Sequence, residues 1–136
     1  MFLNLLTDAQ KASFLALATK VTMADGGVVE SESTTIDIRR FEMGGDISAP
    51  PEEIFGEPNF TVFDTRQAQC IALMELYVIA YSDDKFHPDE RPILEQLVEA
   101  WGFSAEETAA MEQWGKTQAP VSLAAWALIE ELGATG

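Results

Sequence analysis

The stretch TRQAQCIALMELYVIAY, residues 65–81, decides the fold class of this chain. From Cys70 to Tyr81 it is apolar except for Glu75. A segment that is apolar on every side, rather than along one stripe, is typical of a helix buried within a domain. The apolar block of twelve residues is too short to span a bilayer. The stretch therefore predicts a central helix around which the rest of the chain is arranged.

Helical patterns cover most of the remaining sequence as well. The other predicted helices span about residues 8–23, 30–42, 88–101, 104–114 and 120–133. Residues typical of helix ends mark these segments: Ser104 is placed as an N-cap, Pro120 as a first helical residue, and Gly102 and Gly133 as stops. No segment has a convincing strand pattern. We therefore predict an all-α fold.

A Gly- and Pro-rich connector, residues 45–64, separates the first predicted helices from the central one. We expect one helical turn within it, near residues 51–55. With this turn counted, the sequence predicts about seven helices. A length of 136 residues fits a single domain with a compact helical bundle.

The chain also matches itself at an offset of 58 positions. Asp25 aligns with Asp83, Glu32 with Glu90, and Gly44 with Gly102. Two units, residues 7–44 and 65–102, would each hold a long helix, an acidic turn, a shorter helix and a Gly stop, followed by C-terminal helices over residues 104–132. Chance similarity between amphipathic helices is the alternative. The matching Asp, Glu and Gly positions favour two helical hairpins with an internal two-fold.

The chain is strongly acidic, with a formal net charge of −15. This charge disfavours binding to nucleic acids and to anionic membrane surfaces. Divalent cations and basic protein surfaces are the expected partners. The first residues lack a basic region, a sustained apolar run and a cleavage site, and Cys70 is the only cysteine. These features predict a cytoplasmic protein without direct membrane insertion.

The acidic turns, MADGGVVESE at residues 23–32 and YSDDKFHPDE at residues 81–90, share part of the spacing of a calcium-binding EF-hand loop. The first and third ligand positions of such a loop would fall on Val21 and Met23 in one unit, and on Ile79 and Tyr81 in the other. These residues do not provide the ligands of a calcium loop. A working EF-hand is therefore excluded.

Two interpretations of the acidic turns remain. Taken singly, the acids can cap helices, with His87 as an N-cap, Pro88 as the first helical residue and Glu90 bonding back to the cap. Taken together, the carboxylates would converge if the hairpins pack with two-fold symmetry, and they would then bind a hard cation such as Ca²⁺, Mg²⁺ or Mn²⁺ weakly. The candidate metal ligands are Asp25, Glu32, Asp83, Glu90 and Asp84, with Glu30 and Asp89 nearby.

The segments ADGGVVESE and SDDKFHPDE, the latter leading into RPILEQLVEAWG, resemble the TerB-like tellurite-resistance family. They also resemble the TerB-like N-terminal domain of a DnaJ-type membrane co-chaperone. The resemblance covers roughly residues 7–132. It implies an all-α fold of about seven helices with an internal two-fold, and acidic residues proposed to bind a divalent metal. It also implies an adaptor role in membrane-associated stress-response complexes, without enzymatic activity.

Residue by residue, Asp25 and Glu32 match the first motif of this family, and Asp83 and Glu90 match the second. Gly26 matches the usual turn glycine, whereas Asp84 replaces it in the second copy. This replacement changes the geometry expected for the second turn and adds a carboxylate.

Three functions follow for this acidic chain. The first is a TerB-like stress-response module that binds a divalent cation and docks on other proteins. The second is an enzyme that uses the same carboxylates to hold Mg²⁺ or Mn²⁺. The third is a structural interaction domain without metal. Cofactors other than a metal ion are not expected.

Several single residues have competing interpretations. His87, the only histidine, is expected as a helix cap rather than a catalytic base, and Cys70 as an inert core residue. Glu75 is expected on a solvent-facing edge of the central helix; the alternative is a pocket acid or a buried polar anchor, paired with Arg66, Arg39, Arg40 or a hydroxyl. The tryptophans are expected in helix contacts, and an exposed one would mark a partner surface: Trp101, Trp114 and Trp126.

Overall fold

The computed structural model describes residues 2–23, 47–81 and 91–134, with only the backbone described at Ser122, Trp126 and Ala134. These ranges hold five α-helices and a short 3-10 helix, and no strand. The 3-10 helix spans Leu3–Leu5, and the α-helices are α1 (Asp8–Met23), α2 (Pro51–Phe55), α3 (Arg66–Ala80), α4 (Arg91–Trp101) and α5 (Ala105–Ala134). The predicted all-α class is confirmed.

Side-chain caps fix where α1, α3 and α5 begin. Thr7 accepts a hydrogen bond from the Gln10 amide, and the Gln10 side chain accepts one from the Thr7 amide, which forms a capping box. Ser104 and Glu107 form the same reciprocal pair at the start of α5. Thr65 caps α3 by accepting a hydrogen bond from the Ala68 amide. The predicted Ser104 cap is therefore confirmed.

The end of α4 also follows its predicted signal. Gly102 has a φ of +70°, a conformation that glycine adopts without steric cost. The Phe103 amide donates to the Val98 carbonyl, and the Gly102 amide donates to the Glu99 carbonyl. This pair of bonds is a Schellman motif, which satisfies the last carbonyls of the helix.

Helix α3 is the centre of the core, as the sequence predicts. It contacts α1, α4, α5 and the 3-10 helix. Leu73, Leu76 and Ile79 on α3 are fully buried, together with Phe14 on α1 and Leu97 on α4. An edge-to-face contact joins Phe63 and Trp101, with ring centroids 5.3 Å apart. An apolar helix surrounded on several sides needs no polar face, which explains its composition.

The prediction of two separate C-terminal helices, residues 104–114 and 120–133, is wrong. The structure has a single helix, α5, with Pro120 in its interior. Proline cannot donate a backbone hydrogen bond, so it usually ends a helix or begins one. Here Gly115 and Ala119 are buried, and Gly115 lies against Tyr77 of α3, so the helix is packed up to the residue before Pro120 and continues past it.

This continuity accounts for part of the difference between the five described helices and the predicted seven. The predicted helix over residues 30–42 lies outside the described residues. The one-turn helix predicted in the connector is confirmed as α2. The proposed two-fold repeat stays a prediction, although α1 and α3 begin at positions 58 residues apart, Asp8 and Arg66.

The expected solvent-facing position of Glu75 is wrong, because the side chain is fully buried in α3. Leu76, the next residue, is also fully buried, whereas Met74 on the other side is partly exposed, so Glu75 points into the core and not towards the partly exposed edge of α3. Of the partners suggested by the sequence, Arg66 bonds elsewhere, and Arg39 and Arg40 lie outside the described residues. A buried carboxyl group in a helical core is costly unless polar groups compensate it.

Candidate functional site

The five candidate metal ligands, Asp25, Glu32, Asp83, Glu90 and Asp84, all lie outside the described residues. Their convergence therefore stays a prediction. Within residues 2–23, 47–81 and 91–134, no group of three His, Cys, Asp or Glu residues is arranged to hold a metal ion. What the structure does describe is the set of elements that lead into and out of both acidic turns.

The two helices that lead into the acidic turns begin side by side. The Gln10 side-chain amide, in the first turn of α1, donates to the Val62 carbonyl at 3.1 Å and to an Asp64 carboxylate oxygen at 3.3 Å. Both acceptors lie just before Thr65, the cap of α3. Gln10 is nearly buried, with 5% of its surface exposed, so these bonds are shielded from water. The N-terminal ends of α1 and α3 are thus held next to each other.

The C-terminal end of α1, which precedes the first acidic turn, is attached to α2. The Lys20 ammonium group donates to the Gly56 carbonyl at 2.7 Å. Val21 and Thr22 are buried, whereas Met23 is 44% exposed. The last turn of α1 is therefore packed against the rest of the domain as far as Thr22, one residue before the described range ends at Met23.

The second acidic turn is flanked by two residues that share one carboxylate. Tyr81, directly before residues 82–90, donates its hydroxyl to Glu112 Oε2 at 2.5 Å. Arg91, directly after them, donates from Nη2 to the same oxygen at 3.3 Å. Glu112 lies on α5, and its side chain is 24% exposed. One carboxylate thus holds both ends of the segment that carries Asp83, Asp84 and Glu90.

The two tyrosines beside Glu112 are held in their neutral form. Burial, together with the hydrogen bond to Glu112, raises the pKa of Tyr81 to about 12. Burial and the nearby Glu112 charge raise the pKa of Tyr77 to about 12 as well. Both phenols therefore stay protonated through the physiological range. Tyr81 acts as a hydrogen-bond donor to Glu112 throughout that range.

A close approach between α3 and α5 puts Glu112 within reach of Tyr81. A Cβ atom on Gly115 would lie 2.5 Å from Tyr77 Cβ and 2.9 Å from the Tyr77 carbonyl carbon. Only glycine fits at this contact, because the second of these atoms belongs to the backbone. Glu112 lies one turn before Gly115 on α5, and Tyr81 lies one turn after Tyr77 on α3. The tight helix contact therefore positions the pair.

A second polar cluster, around Arg66, lies at the opposite end of α3. Its guanidinium donates to the Trp101 carbonyl at 2.6 Å and to Glu107 at 3.3 Å, and stacks 3.7 Å from the centre of the Phe103 ring. Hydrogen bonds from Ser104, first from its amide, lower the pKa of Glu107, and Arg66 adds to this effect. The cluster joins the start of α3, the end of α4 and the start of α5. Its role is structural.

The far end of α5 presents apolar side chains to solvent. Ala119 is 1% exposed, whereas Val121 and Leu128 are 55% and 54% exposed. Every described side chain from residue 124 to 133 is exposed. Trp101 is buried and Trp114 contacts Phe2, as expected for helix contacts, and Cys70 is partly buried against the core.

Sequence reasoning missed the residues that flank and hold the second turn. Tyr81 and Arg91 adjoin the motif in the sequence, but nothing in their spacing identifies a shared partner. Glu112 lies 31 residues from Tyr81 and 21 from Arg91, on a helix whose packing the sequence does not reveal. The only available signal was Gly115, a residue that favours close helix contact.

Comparisons with protein-family models, curated proteins and solved structures give no match to this chain. No helix in the described part of the chain combines the length and apolar character needed to cross a bilayer.

Proposed function

We propose that this chain is a non-enzymatic, TerB-like stress-response module that acts in the cytoplasm. It binds a divalent cation at its paired acidic turns and serves as an adaptor between proteins. The observation that carries the cation site is the side-by-side start of α1 and α3, the helices that lead into the two turns. The adaptor role is supported by the exposed apolar end of α5.

The lengths of α1 and α3 support the convergence of the turns. The helices have 16 and 15 residues. At 1.5 Å per residue they are about 24 Å and about 22 Å long. They begin next to each other and contact each other. Helices of nearly equal length that start together and pack together direct their C-terminal ends to the same end of a domain, and both acidic turns follow from there.

The shared carboxylate supports a site in the second turn. With Tyr81 and Arg91 fixed on Glu112, residues 82–90 form a segment whose two ends are already held. Fixing the ends of a segment before binding reduces the conformational entropy that ligand binding has to remove.

The chemistry of the candidate ligands supports a hard cation. Asp25, Glu32, Asp83, Glu90 and Asp84 would provide carboxylate oxygens, the ligands preferred by Ca²⁺, Mg²⁺ and Mn²⁺. The net charge of −15 increases the local concentration of any divalent cation. Two or three carboxylates with water in the remaining positions would give a weak to moderate site.

The test is calorimetric titration of the metal-free chain with Ca²⁺, Mg²⁺ and Mn²⁺. The same titration is made on an Asp25→Asn/Asp83→Asn variant, with a Glu99→Gln/Glu106→Gln variant as a control. The control loses the same two charges, at exposed positions on α4 and α5. Circular dichroism verifies that each variant is folded.

We expect saturable binding by the wild type and by the control, and loss of binding in the Asp25→Asn/Asp83→Asn variant. Absence of binding by the wild type, or equal binding by all three proteins, would contradict the cation site. The repeated acids would then be helix caps.

A further inference from the structure

The final part of α5, residues 121–133, is here called the distal segment. Four of its large apolar side chains are exposed by more than half, namely Val121, Leu128, Ile129 and Leu132, whereas Leu123 is partly buried. Single exposed apolar residues are common on protein surfaces, whereas a continuous apolar strip marks an interaction site. The distal segment has such a strip on a helix that has already left the core after Ala119.

A subset of the apolar residues of the distal segment lies on one face of the helix, while Leu123 and Ala127 lie on other faces. Val121, Ala125, Leu128 and Leu132 follow a spacing of four, three and four residues, and Ile129 lies beside them. The strip from residue 121 to residue 132 is about 16 Å long at 1.5 Å per residue. Anchors spaced in this way are the pattern by which a helix binds to an apolar groove or to another helix.

The charge of the chain indicates what kind of partner binds this strip. The last basic residue is Lys116, and the distal segment contains two acids, Glu130 and Glu131. A second copy of this chain would bring two bodies of charge −15 together, with carboxylates near carboxylates. A partner whose apolar surface is flanked by Lys or Arg would instead gain from the opposite charge.

We propose that the distal segment docks on a basic amphipathic helix of another protein, with an apolar stripe flanked by Lys or Arg. This inference rests on the adaptor role proposed above, and it does not require the cation site. The strip provides the apolar contact, and the acidic chain provides attraction and orientation. The interaction weakens as the salt concentration rises, because part of it is electrostatic.

The test uses a fluorescein-labelled synthetic helix of Leu and Lys, with Leu at heptad spacing, in an anisotropy titration. A second peptide of the same composition has its Leu positions scrambled, so that its charge is unchanged and its apolar face is lost. The chain is compared with a Leu128→Ser/Ile129→Ser variant and with a Leu5→Ser control. Leu5 is also exposed, at 58%, but lies in the 3-10 helix.

We expect the double variant to bind the peptide about tenfold or more weakly, since it removes two anchors of the strip. The Leu5→Ser control should bind like the wild type, and the scrambled peptide should bind weakly to all three. Equal binding by the double variant, equal binding of the scrambled peptide, or no binding by the wild type would overturn the proposal.

Two further measurements separate this proposal from its alternatives. Analytical ultracentrifugation of the chain alone should show a monomer, and a dimer that disappears in the Leu128→Ser/Ile129→Ser variant would replace the proposed partner with a second copy. The Asp25→Asn/Asp83→Asn variant should still bind the peptide. If that variant binds the peptide, the docking surface stands even where cation binding is lost or was never present. If it does not bind the peptide, the docking surface is not independent of the acidic turns.

Discussion

The two halves of α5 differ in their surroundings although they form one helix. The first half, up to Ala119, packs on α3 through Met111, Gly115 and Ala119, all buried. In the second half, the distal segment, every described side chain is exposed except that of Leu123, which is partly buried. The difference teaches that helix formation and packing are separate in α5: the first half is held against α3, whereas the second half stays helical although most of its described side chains face solvent. Apolar residues are packed in the core in the first half and are largely exposed to solvent in the second.

The largest effect on stability is expected for a substitution of Gly115, and Gly133, the other glycine of α5, provides the control. Gly115→Ala should lower the free energy of unfolding by about 2 kcal/mol, because the new Cβ atom collides with Tyr77 and overpacks the contact. Gly133→Ala is the matched control, since no atom lies within 4 Å of its new Cβ. It should be neutral, or stabilising by up to about 1 kcal/mol through helix propensity. Urea denaturation measures both, and equal effects would show that the two halves do not differ.

A smaller effect of opposite sign is expected where the halves join. Pro120→Ala should raise the free energy of unfolding by about 1 kcal/mol, because alanine restores a backbone donor within the helix and removes a steric conflict. Pro120 is exposed, so no packing is lost. Thermal and urea denaturation measure the change. A neutral or destabilising result would indicate that a new helix begins at Pro120.

The smallest effect on stability is expected for Glu112→Gln, and it is measured by titrating the two tyrosines with rising pH. The pKa of about 12 for both tyrosines should appear as tyrosinate absorbance that develops near pH 12 rather than near 10.0, the ordinary pKa of a tyrosine. Glu112→Gln should lower the pKa of Tyr81, since the charged acceptor is gone. Glu131→Gln, the same change in the distal segment, should leave the titration unchanged.

The same titration has a consequence for stability. The folded state keeps the phenolic protons that the unfolded state releases above pH 10, so the stabilisation is complete below that pH and is lost as the pH rises to about 12. This loss should be smaller in Glu112→Gln. Tyrosinate absorbance of the folded wild type near pH 10 would contradict the role assigned to Glu112.

Local signals in the sequence predicted the helices and helix ends that depend on residues close to one another in the chain. The apolar composition of residues 65–81 indicated the central helix, and Ser104 and Gly102 indicated a start and a stop, because caps depend on backbone groups a few residues away. The length of α5 could not be predicted in this way. Pro120 is compatible with the start of a new helix as well as with the interior of a longer one, so the local sequence does not distinguish the two.

The supports of the second turn depend on contacts that are distant in the sequence. Tyr81, Arg91 and Glu112 come together because α3 and α5 approach closely, which no spacing rule predicts. Burial of Glu75 has the same origin, since a single acid in an apolar helix is compatible with either a solvent edge or a core position. The Asp and Glu positions of the turns were evident in the sequence, and their role as cation ligands stays a prediction.

Glu112 accepts hydrogen bonds from both Tyr81 and Arg91, so the two residues that flank positions 82–90 are held at one point whatever the sequence between them. The entropic cost of holding two points of a chain together grows only with the logarithm of the number of residues between them, so doubling that number costs about 0.6 kcal/mol. Insertions and substitutions between Tyr81 and Arg91 should therefore be tolerated by the helices around them. Evolution or engineering can change the residues between Tyr81 and Arg91 while these two residues and Glu112 keep α3, α4 and α5 joined.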